Sequence, residues 1–570
     1  MIFPERLKTL YARTLRHGSA QAPERVAVTL QFPHADDLSV TLDGLLRGSQ
    51  SFAQTYAREG IQPGEVVVLI LQHGEDLLYA FWGAILHGAI PSIMPFLTEK
   101  LSPERYRADL ASLMSVTKPS AIVTYPEFEA EVHSAIREGD SVRSVIVANQ
   151  VEPQKELDFD SLAGFRRKPE DIVLLQHSSG TTGLQKGVAL SHRSVFNQLD
   201  AYSRALSLDD EDVIVSWLPL YHDMGLIAGF VMPILSGIPL VLMSPFDWVR
   251  APYKLMRSVT KYRGTLTWLP NFAFNFCAQK IRDRHLEGVD LSSLRAVVNC
   301  SEPVRFESHR AFYERFEPYG LKWEALQTSY AMAENVFGVT QSRLGTAPVV
   351  DEIDRESFMV QRVAASPLDG RPAMRMMSSG RPLENVAIRI LDEQGGEVPE
   401  RVVGEIALKS DCMLTGYYHR EDVTRKAFLD GWYLTGDYGY MADGEIFVSG
   451  RKKDMIIVGG RNVYPQDLEA LACEAPGVHA GRAVAFGMFD EAQGTEEVVI
   501  IAEVDAEDPA EQEKIADAIR LHVTKNSAIA LRHVRVVGPK WIIKTSSGKT
   551  SRAANKEKFI RELQSSQEAG

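Results

Sequence analysis

Cysteine is scarce in this chain: Cys277, Cys300, Cys412 and Cys473 are all there are among 570 residues, and no two stand in a CxxC pair. That usage fits a reducing compartment, disfavours a structural zinc site and reads as inert thiols in or near the core. An excess of positive charge is missing too. The formal net charge of -13 argues against broad binding to nucleic acid or to an anionic membrane surface, because both need clustered lysine and arginine. The N-terminus, Met1-Ile-Phe-Pro-Glu-Arg-Leu-Lys8, lacks the basic start and apolar stretch of a secretory signal. The most apolar windows, 66–71 and 229–243, are too short or too interrupted by Gly and Pro to span a bilayer as helices. Neither an internal repeat nor a low-complexity linker is found. The expectation is a soluble cytoplasmic protein with no nucleic-acid partner and no integral membrane association.

A hydrophobic content of 45% lets a chain of this length bury a large core in more than one domain. Apolar runs at 66–71, 121–124, 145–147 and 172–175 alternate with longer segments of helical spacing. In one of these, 76–86, the apolar positions are Leu77, Leu78, Ala80, Phe81 and Ala84. The alternation predicts an α/β fold with a mostly parallel sheet, whose ligand loops lie at the carboxyl ends of strands. After Val386 the texture changes. Short strand candidates at 387–391, 404–408 and 445–448, separated by turns such as Glu393-Gln-Gly-Gly396 and Ala442-Asp-Gly444, predict a β-rich subdomain closing the large one. From about Lys453 a compact α+β unit is expected, with helices near 465–473 and 510–524 and strands at 483–486 and 498–504. The charged segment 553–564 reads as a solvated surface helix.

The most informative stretch is Gln176-His-Ser-Ser-Gly-Thr-Thr-Gly-Leu-Gln-Lys-Gly187, between the apolar run 172–175 and a helical-looking segment from Ser191. A polyphosphate needs many small donors at close range. Ser178, Ser179, Thr181 and Thr182 offer hydroxyls, Gly180 and Gly183 clear the way to peptide N–H groups, and Lys186 supplies a mobile point charge. The Walker A register fails here: counted from Gly180, its last three required places hold Gln185, Lys186 and Gly187, and two of them do not match. An ordinary Ser/Thr/Gly surface turn is the plain alternative. Six consecutive small or hydroxyl residues, entered from a strand and followed by lysine, favour a nucleotide-phosphate loop of another kind.

Five further segments follow in order: Trp217-Leu-Pro-Leu-Tyr-His-Asp-Met-Gly225, Tyr330-Ala-Met-Ala-Glu334, Tyr433-Leu-Thr-Gly-Asp437, Gly450-Arg-Lys-Lys-Asp454 and Lys544-Thr-Ser-Ser-Gly-Lys549. The ordered set, spread over nearly the whole chain, resembles the adenylate-forming superfamily of acyl-CoA synthetases, nonribosomal peptide adenylation domains and luciferases. The resemblance implies a large N-terminal adenylation domain, 1–452, and a small mobile C-terminal domain, 453–570, with ATP and Mg²⁺ as cofactors. Attack of a carboxylate on the α-phosphorus of ATP brings two anions together, so positive charge must be delivered there.

By the same resemblance Lys549 corresponds to the catalytic lysine and His222 to the histidine beside the acyl pocket. Glu334 matches the acidic residue that helps hold Mg²⁺, Tyr330 the aromatic stacking on adenine, Asp437 and Arg451 the ribose contacts, and Lys453 the hinge. Read alone, each is ordinary: an exposed lysine, a satisfied histidine, a surface glutamate, a turn aspartate. The apolar segments 226–230 and 268–276 could line a channel for an alkyl chain or simply be core.

Three features resemble the fatty acyl-AMP ligase branch, whose members load an acyl carrier protein's phosphopantetheine. They are Gly460-Arg-Asn-Val-Tyr-Pro-Gln-Asp-Leu-Glu469, the pair Pro270-Asn-Phe-Ala273 and Cys300-Ser-Glu-Pro-Val304, and a long stretch 339–380 where that branch carries an insertion thought to restrict the C-terminal domain. Departures include Gln185 for a usual proline, Ala331 for glycine and Ile543 for proline. The implied activity is conversion of a fatty acid to its acyl-adenylate with release of pyrophosphate, then acyl transfer to a carrier-protein thiol. The alternatives are an acyl-CoA ligase using free coenzyme A and a noncatalytic nucleotide- or carrier-protein-binding scaffold.

Overall fold

The computed structural model describes residues 20–96, 103–153, 161–178, 186–367, 371, 373–458, 461–479, 481–490, 495–527, 529, 531–545 and 548–568. The chain divides into two compact units, one of residues 1–348, 379–387 and 409–431, the other of 349–378, 388–408 and 432–570. The boundary expected between 452 and 453 lies inside the second unit.

The first unit is built on two parallel sheets, as the alternation of runs predicts. One has seven strands in the order Leu326–Thr328, Ala296–Asn299, Leu266–Leu269, Ile214–Ser216, Leu240–Met243, Val26–Gln31, Leu38–Thr41. Only its last pair is antiparallel. The other runs Ile90–Ile93, Val66–Ile70, Ala121–Thr124, Ser144–Val147, parallel throughout. Every residue of Val66–Ile70 is buried, which is why the strand reads as an unbroken apolar run instead of an alternating one. The helix Glu75–His87 carries the apolar spacing seen at 76–86.

One strand departs from expectation. Ile172–Ser178 belongs to neither parallel sheet; it pairs antiparallel with Lys186–Ser191, and Gly416–Tyr417 adds a third strand. The phosphate-loop candidate therefore connects the arms of a hairpin instead of leading from a strand into a helix. The helix His192–Ala205 starts only after the second arm, where Ser191 and Ser194 close a capping box. The hairpin is tied into the four-stranded sheet because Leu175 and Ala189 share a buried cluster with Val68, Ile122 and Met114.

In the second unit the β-rich segments Val386–Leu391, Gly404–Ser410, Trp432–Ala442 and Glu445–Arg451 pair side by side in one sheet. The hairpin Val350–Asp354/Ala373–Met377 lies within the long stretch 339–380. Buried Ile353, Phe358, Tyr438, Tyr440 and Tyr464 form one cluster, which joins this hairpin, the β-rich sheet and the start of the C-terminal segment. Beyond it, Ala483–Asp490, Thr495–Glu503 and His533–Val537 make a sheet covered by the helices Pro465–Glu474 and Pro509–Ser527.

The final helix, Arg552–Glu568, corrects the reading of a merely solvated surface element. Phe559 is buried with Val484, Phe486 and Ile501, and Asn555 is fully buried, bonding the Ile543 amide and carbonyl. The sequence of this helix is charged on most faces, and the docked face is too narrow to dominate its pattern. The thiols match expectation: Cys277, Cys300 and Cys412 are buried and free, Cys473 half-buried and free. Among the described residues no helix is long and apolar enough to cross a membrane.

Candidate active site

In the first unit the hairpin sets the base of the site. Ser178 is the register partner of Lys186, so the ladder runs to the last described residue on each arm. Ser179, Gly180, Thr181, Thr182 and Gly183 lie outside the described residues, and of Ser178 only the backbone is described. On the first arm Gln176 Nε2 donates to the Val336 carbonyl at 3.1 Å, linking the hairpin to the turn that follows Tyr330–Glu334. His177 is half-buried with Nε2 2.5 Å from Ser92 Oγ, and desolvation of the ring brings its pKa down to about 4, so the imidazole is neutral at physiological pH.

Tyr330 and Glu334 sit on a tight reversal. The Tyr330 amide donates to Thr340 Oγ1 at 2.9 Å and its carbonyl accepts from the Val339 amide at 2.8 Å. Between them Ala333–Asn335 forms a single 3-10 turn. It is followed by Val336 at φ 65° and ψ -55°, with the Phe337 amide bonding the Asn335 carbonyl at 2.7 Å. That is a γ-turn of the rare positive-φ form, centred on a fully buried β-branched residue, and strain of this kind concentrates at functional sites.

Glu334 faces Tyr417, which sequence reasoning did not single out. The Tyr417 hydroxyl donates to Glu334 Oε1 at 2.8 Å, and Lys186 Nζ lies 4.9 Å above the centre of the same ring. The strand Gly416–Tyr417 brings this phenol in by pairing with Val188 and Ala189. Nothing in Leu414-Thr-Gly-Tyr-Tyr418 beyond β-compatible aromatics announces that contact.

His222 is largely buried, its Nδ1 3.1 Å from Asp223 Oδ1. The same carboxylate oxygen accepts the Met224 amide at 2.8 Å and starts the π-helix Met224–Val231. Gly225 is required here because a Cβ would stand 2.2 Å from the Pro219 carbonyl oxygen. Leu226, Ile227, Ala228 and Phe230 are core, as are Trp268, Ala273 and Phe274. Phe272 and Phe276 are half-buried beside Trp248, which stacks on Trp217 at 3.5 Å.

Glu334 has the chemistry of a divalent-cation ligand. Among the described residues no three His, Cys, Asp or Glu side chains gather, so a divalent cation finds no all-protein cage. One half-buried carboxylate with a hydrogen-bonded oxygen suits Mg²⁺, which keeps several waters and takes its remaining ligands from substrate phosphates.

In the second unit Asp437 is not a turn residue. It lies in Trp432–Ala442, 7% exposed, and is the register partner of Arg451. Arg451 Nε is 3.3 Å from Asp437 Oδ1. Lys453 is exposed in the 3-10 turn Lys452–Asp454, flanked by two fixed neighbours: Lys452 Nζ pairs with Glu405 at 2.8 Å and Asp454 with Arg552 at 3.0 Å. Lys549 closes a turn in which its amide donates to Thr545 Oγ1 at 3.2 Å and its carbonyl accepts the Thr545 amide at 2.7 Å. Gly548 supplies the left-handed step at φ 86°, and Lys544 bridges Thr550 behind it. Lys549 itself is half-buried.

A family model described as AMP-binding enzyme matches residues 15–418. A putative ligase, Rv1013 of Mycobacterium tuberculosis, is 32% identical over 501 residues, covering 87% of this chain and 90% of its own. The long-chain-fatty-acid–AMP ligase FadD26 of Mycobacterium bovis is 30% identical over 585 residues and 96% of each chain. A solved structure from studies of fatty acyl-adenylate ligases of E. coli and L. pneumophila superposes with a TM-score of 0.89 at 26% identity, over 99% of this chain and 100% of the other.

Proposed function

The chain belongs to the AMP-binding enzymes, and from that premise we propose that it is a fatty acyl-AMP ligase. A fatty-acid carboxylate oxygen attacks the α-phosphorus of ATP, the acyl-phosphate anhydride forms, and the bond to pyrophosphate breaks. The observation that carries the reading is the meeting of Lys186, Tyr417 and Glu334, three residues from distant segments, at the mouth of the loop hairpin. The names of the relatives and of the solved structure agree with it.

Lys186 and the loop residues Ser178, Ser179, Gly180, Thr181, Thr182 and Gly183 hold the phosphates, Tyr330 takes the adenine, and Asp437 with Arg451 takes the ribose hydroxyls. Glu334 would hold Mg²⁺, which when bound neutralises phosphate charge. Lys549 stabilises the negative charge that develops as carboxylate and α-phosphate meet, and His222 stands beside the acyl group. Residues 453–570 act as a mobile domain turning about Lys453, with residues 1–452 as the adenylation domain. Free thiols and an acidic composition support a cytoplasmic setting.

The second half-reaction passes the acyl group to the phosphopantetheine thiol of an acyl carrier protein: sulfur attacks the acyl carbon, AMP leaves, and the thiol proton goes to solvent. Support comes from the hairpin in 339–380. Asp351 of its first strand binds Arg401 at 3.0 Å and the Tyr440 hydroxyl at 2.8 Å, while Arg355, just beyond, donates to the Asn526 carbonyl on the helix Pro509–Ser527. Such a clasp limits how far 453–570 can turn relative to the β-rich sheet, the kind of restriction that the resemblance to the fatty acyl-AMP ligase branch associates with disfavouring free coenzyme A.

Incubation with ATP, Mg²⁺ and a panel of fatty acids tests the first half by pyrophosphate exchange; no exchange with any acid refutes it. Supplying coenzyme A or a holo carrier protein tests the second. Rapid thioester formation with free coenzyme A overturns the choice of acceptor and leaves the adenylation step standing.

A further inference from the structure

Lys186 and Glu334 carry opposite charges into the same small region, and two such side chains left to themselves close into an ion pair that neutralises both. Lys186 forms no ion pair among the described residues. What it meets instead is the π face of Tyr417, at 4.9 Å, while Glu334 accepts the hydroxyl of the same ring at 2.8 Å. A phenol is unusual in being able to serve both. Its quadrupole attracts a cation over the face, and its O–H donates to an anion at the edge, so each charge gains a partner without the two cancelling each other.

The backbone around Tyr417 is fixed with matching care. The Leu414 amide donates to the Glu334 carbonyl at 2.8 Å, the Thr415 amide to the Ala189 carbonyl at 2.9 Å, and the Tyr418 amide to the Gly187 carbonyl at 2.8 Å. Residues 414–418 therefore bond first to the Glu334 turn and then to the strand that begins at Lys186. The Tyr417 amide is itself held by Thr424 Oγ1 at 2.9 Å, and the residue is 6% exposed. Four hydrogen bonds and a buried ring hold the phenol at one height between the two charges.

Building on the ligase reading, we propose that Tyr417 is a positioning residue that keeps the Lys186 ammonium and the Glu334 carboxylate separately oriented toward a metal–nucleotide. The hydroxyl governs the carboxylate, and hence divalent-cation affinity. The ring governs the ammonium, and hence affinity for the phosphates.

The two halves separate by substitution in the full-length protein. Mn²⁺ serves as the metal probe, titrated by electron paramagnetic resonance with α,β-methylene-ATP present, and binding of the metal-free analogue is measured by calorimetry. Tyr417→Phe keeps the ring and loses the hydroxyl. It is expected to weaken Mn²⁺ binding about 10-fold, the scale of a hydrogen bond to a charged group, and to leave the metal-free analogue unaffected. Tyr417→Leu is expected to show the same Mn²⁺ loss and in addition to weaken the analogue about 2- to 5-fold, the scale of an exposed cation–π contact. A purely structural tyrosine would shift the urea midpoint and spare both constants in any variant that stays folded. Unchanged Mn²⁺ affinity in Tyr417→Phe overturns the inference, as does an analogue affinity in Tyr417→Leu equal to that of Tyr417→Phe. If the unaltered protein catalyses fatty-acid-dependent pyrophosphate exchange while these constants stay put, the inference alone fails; if it catalyses no exchange, the ligase reading fails.

Discussion

Arg451 and Asp437 face one another across the antiparallel pair Trp432–Ala442/Glu445–Arg451, with the guanidinium nitrogen 3.3 Å from the carboxylate oxygen. Asp437 is buried and Arg451 half-exposed, so the aspartate's orientation is fixed by the strand and the arginine's by the aspartate. A carboxylate held this way can accept a pair of vicinal hydroxyls at little further ordering cost. Asp437→Ala is expected to raise the KM for ATP roughly 10- to 100-fold, the equivalent of about 1.5–3 kcal/mol for hydrogen bonds to a charged group, with the KM for fatty acid unchanged. Exchange assays with ATP, 2′-deoxy-ATP and 3′-deoxy-ATP check this. The variant should lose its preference among the three, and retained discrimination would assign the ribose elsewhere.

Lys549 closes its turn through backbone atoms and the Thr545 hydroxyl, and no ion pair of its ammonium occurs among the described residues. Stability and chemistry should therefore come apart on substitution. Lys549→Ala is expected to change the unfolding free energy by less than about 0.5 kcal/mol. Pyrophosphate exchange should fall by roughly 100- to 1000-fold or more, the scale of removing one transition-state donor. Paired urea melts and exchange rates measure both. Exchange within a few-fold of the unaltered protein would remove Lys549 from the reaction.

Arg552 does structural work three residues further on. Its guanidinium binds Glu469 through Nε and Nη2, at 2.8 and 2.7 Å, and Asp454 through Nη1 at 3.0 Å, and both carboxylates are mostly buried. Removing the cation strands two buried anions. Arg552→Ala is expected to cost about 3–5 kcal/mol, seen as a lowered urea midpoint. Arg552→Lys should recover only part, because one ammonium cannot reproduce a planar fork serving two partners. Equal midpoints for Arg552→Ala and the unaltered chain would show the cluster to be solvent-compensated.

The parallel sheets were legible because fully buried strands such as Val66–Ile70 leave continuous apolar runs that no other element explains as well. Position in a sheet was less legible. The run 172–175 looks like its parallel neighbours, yet its partner, Lys186–Ser191, lies just past the loop, and local apolarity does not encode strand direction. Asp437 after Thr-Gly has the local grammar of a turn and lies mid-strand, because tertiary pairing with Arg451 overrides it. The terminal helix hid its docking face for a related reason, since Asn555 and Phe559 are too few to set a period. Tyr417 could not be found from sequence at all. Its role is defined by Lys186 and Glu334, which stand 231 and 83 positions away.

His177 ties the loop hairpin to the four-stranded sheet through Ser92, and its titration gives stability a pH dependence of known sign. Burial lowers its pKa from the ordinary value to about 4, so between about pH 6.5 and pH 4 the unfolded chain binds a proton that the folded chain does not. Stability is then fully present above pH 6.5 and declines as the pH falls toward 4. His192 and His309, each brought to about 3 by burial, act in the same direction. For His177 alone the loss between pH 7 and pH 5 comes to about 2 kcal/mol. His177→Gln, which keeps a polar group near Ser92 but cannot titrate, should therefore be less stable than the unaltered protein at pH 7 and lose less on acidification. Urea midpoints for both proteins at pH 7 and pH 5 decide it. Parallel losses would mean that His177 is hydrated and charged in the folded state, and that the loop hairpin is anchored by other contacts.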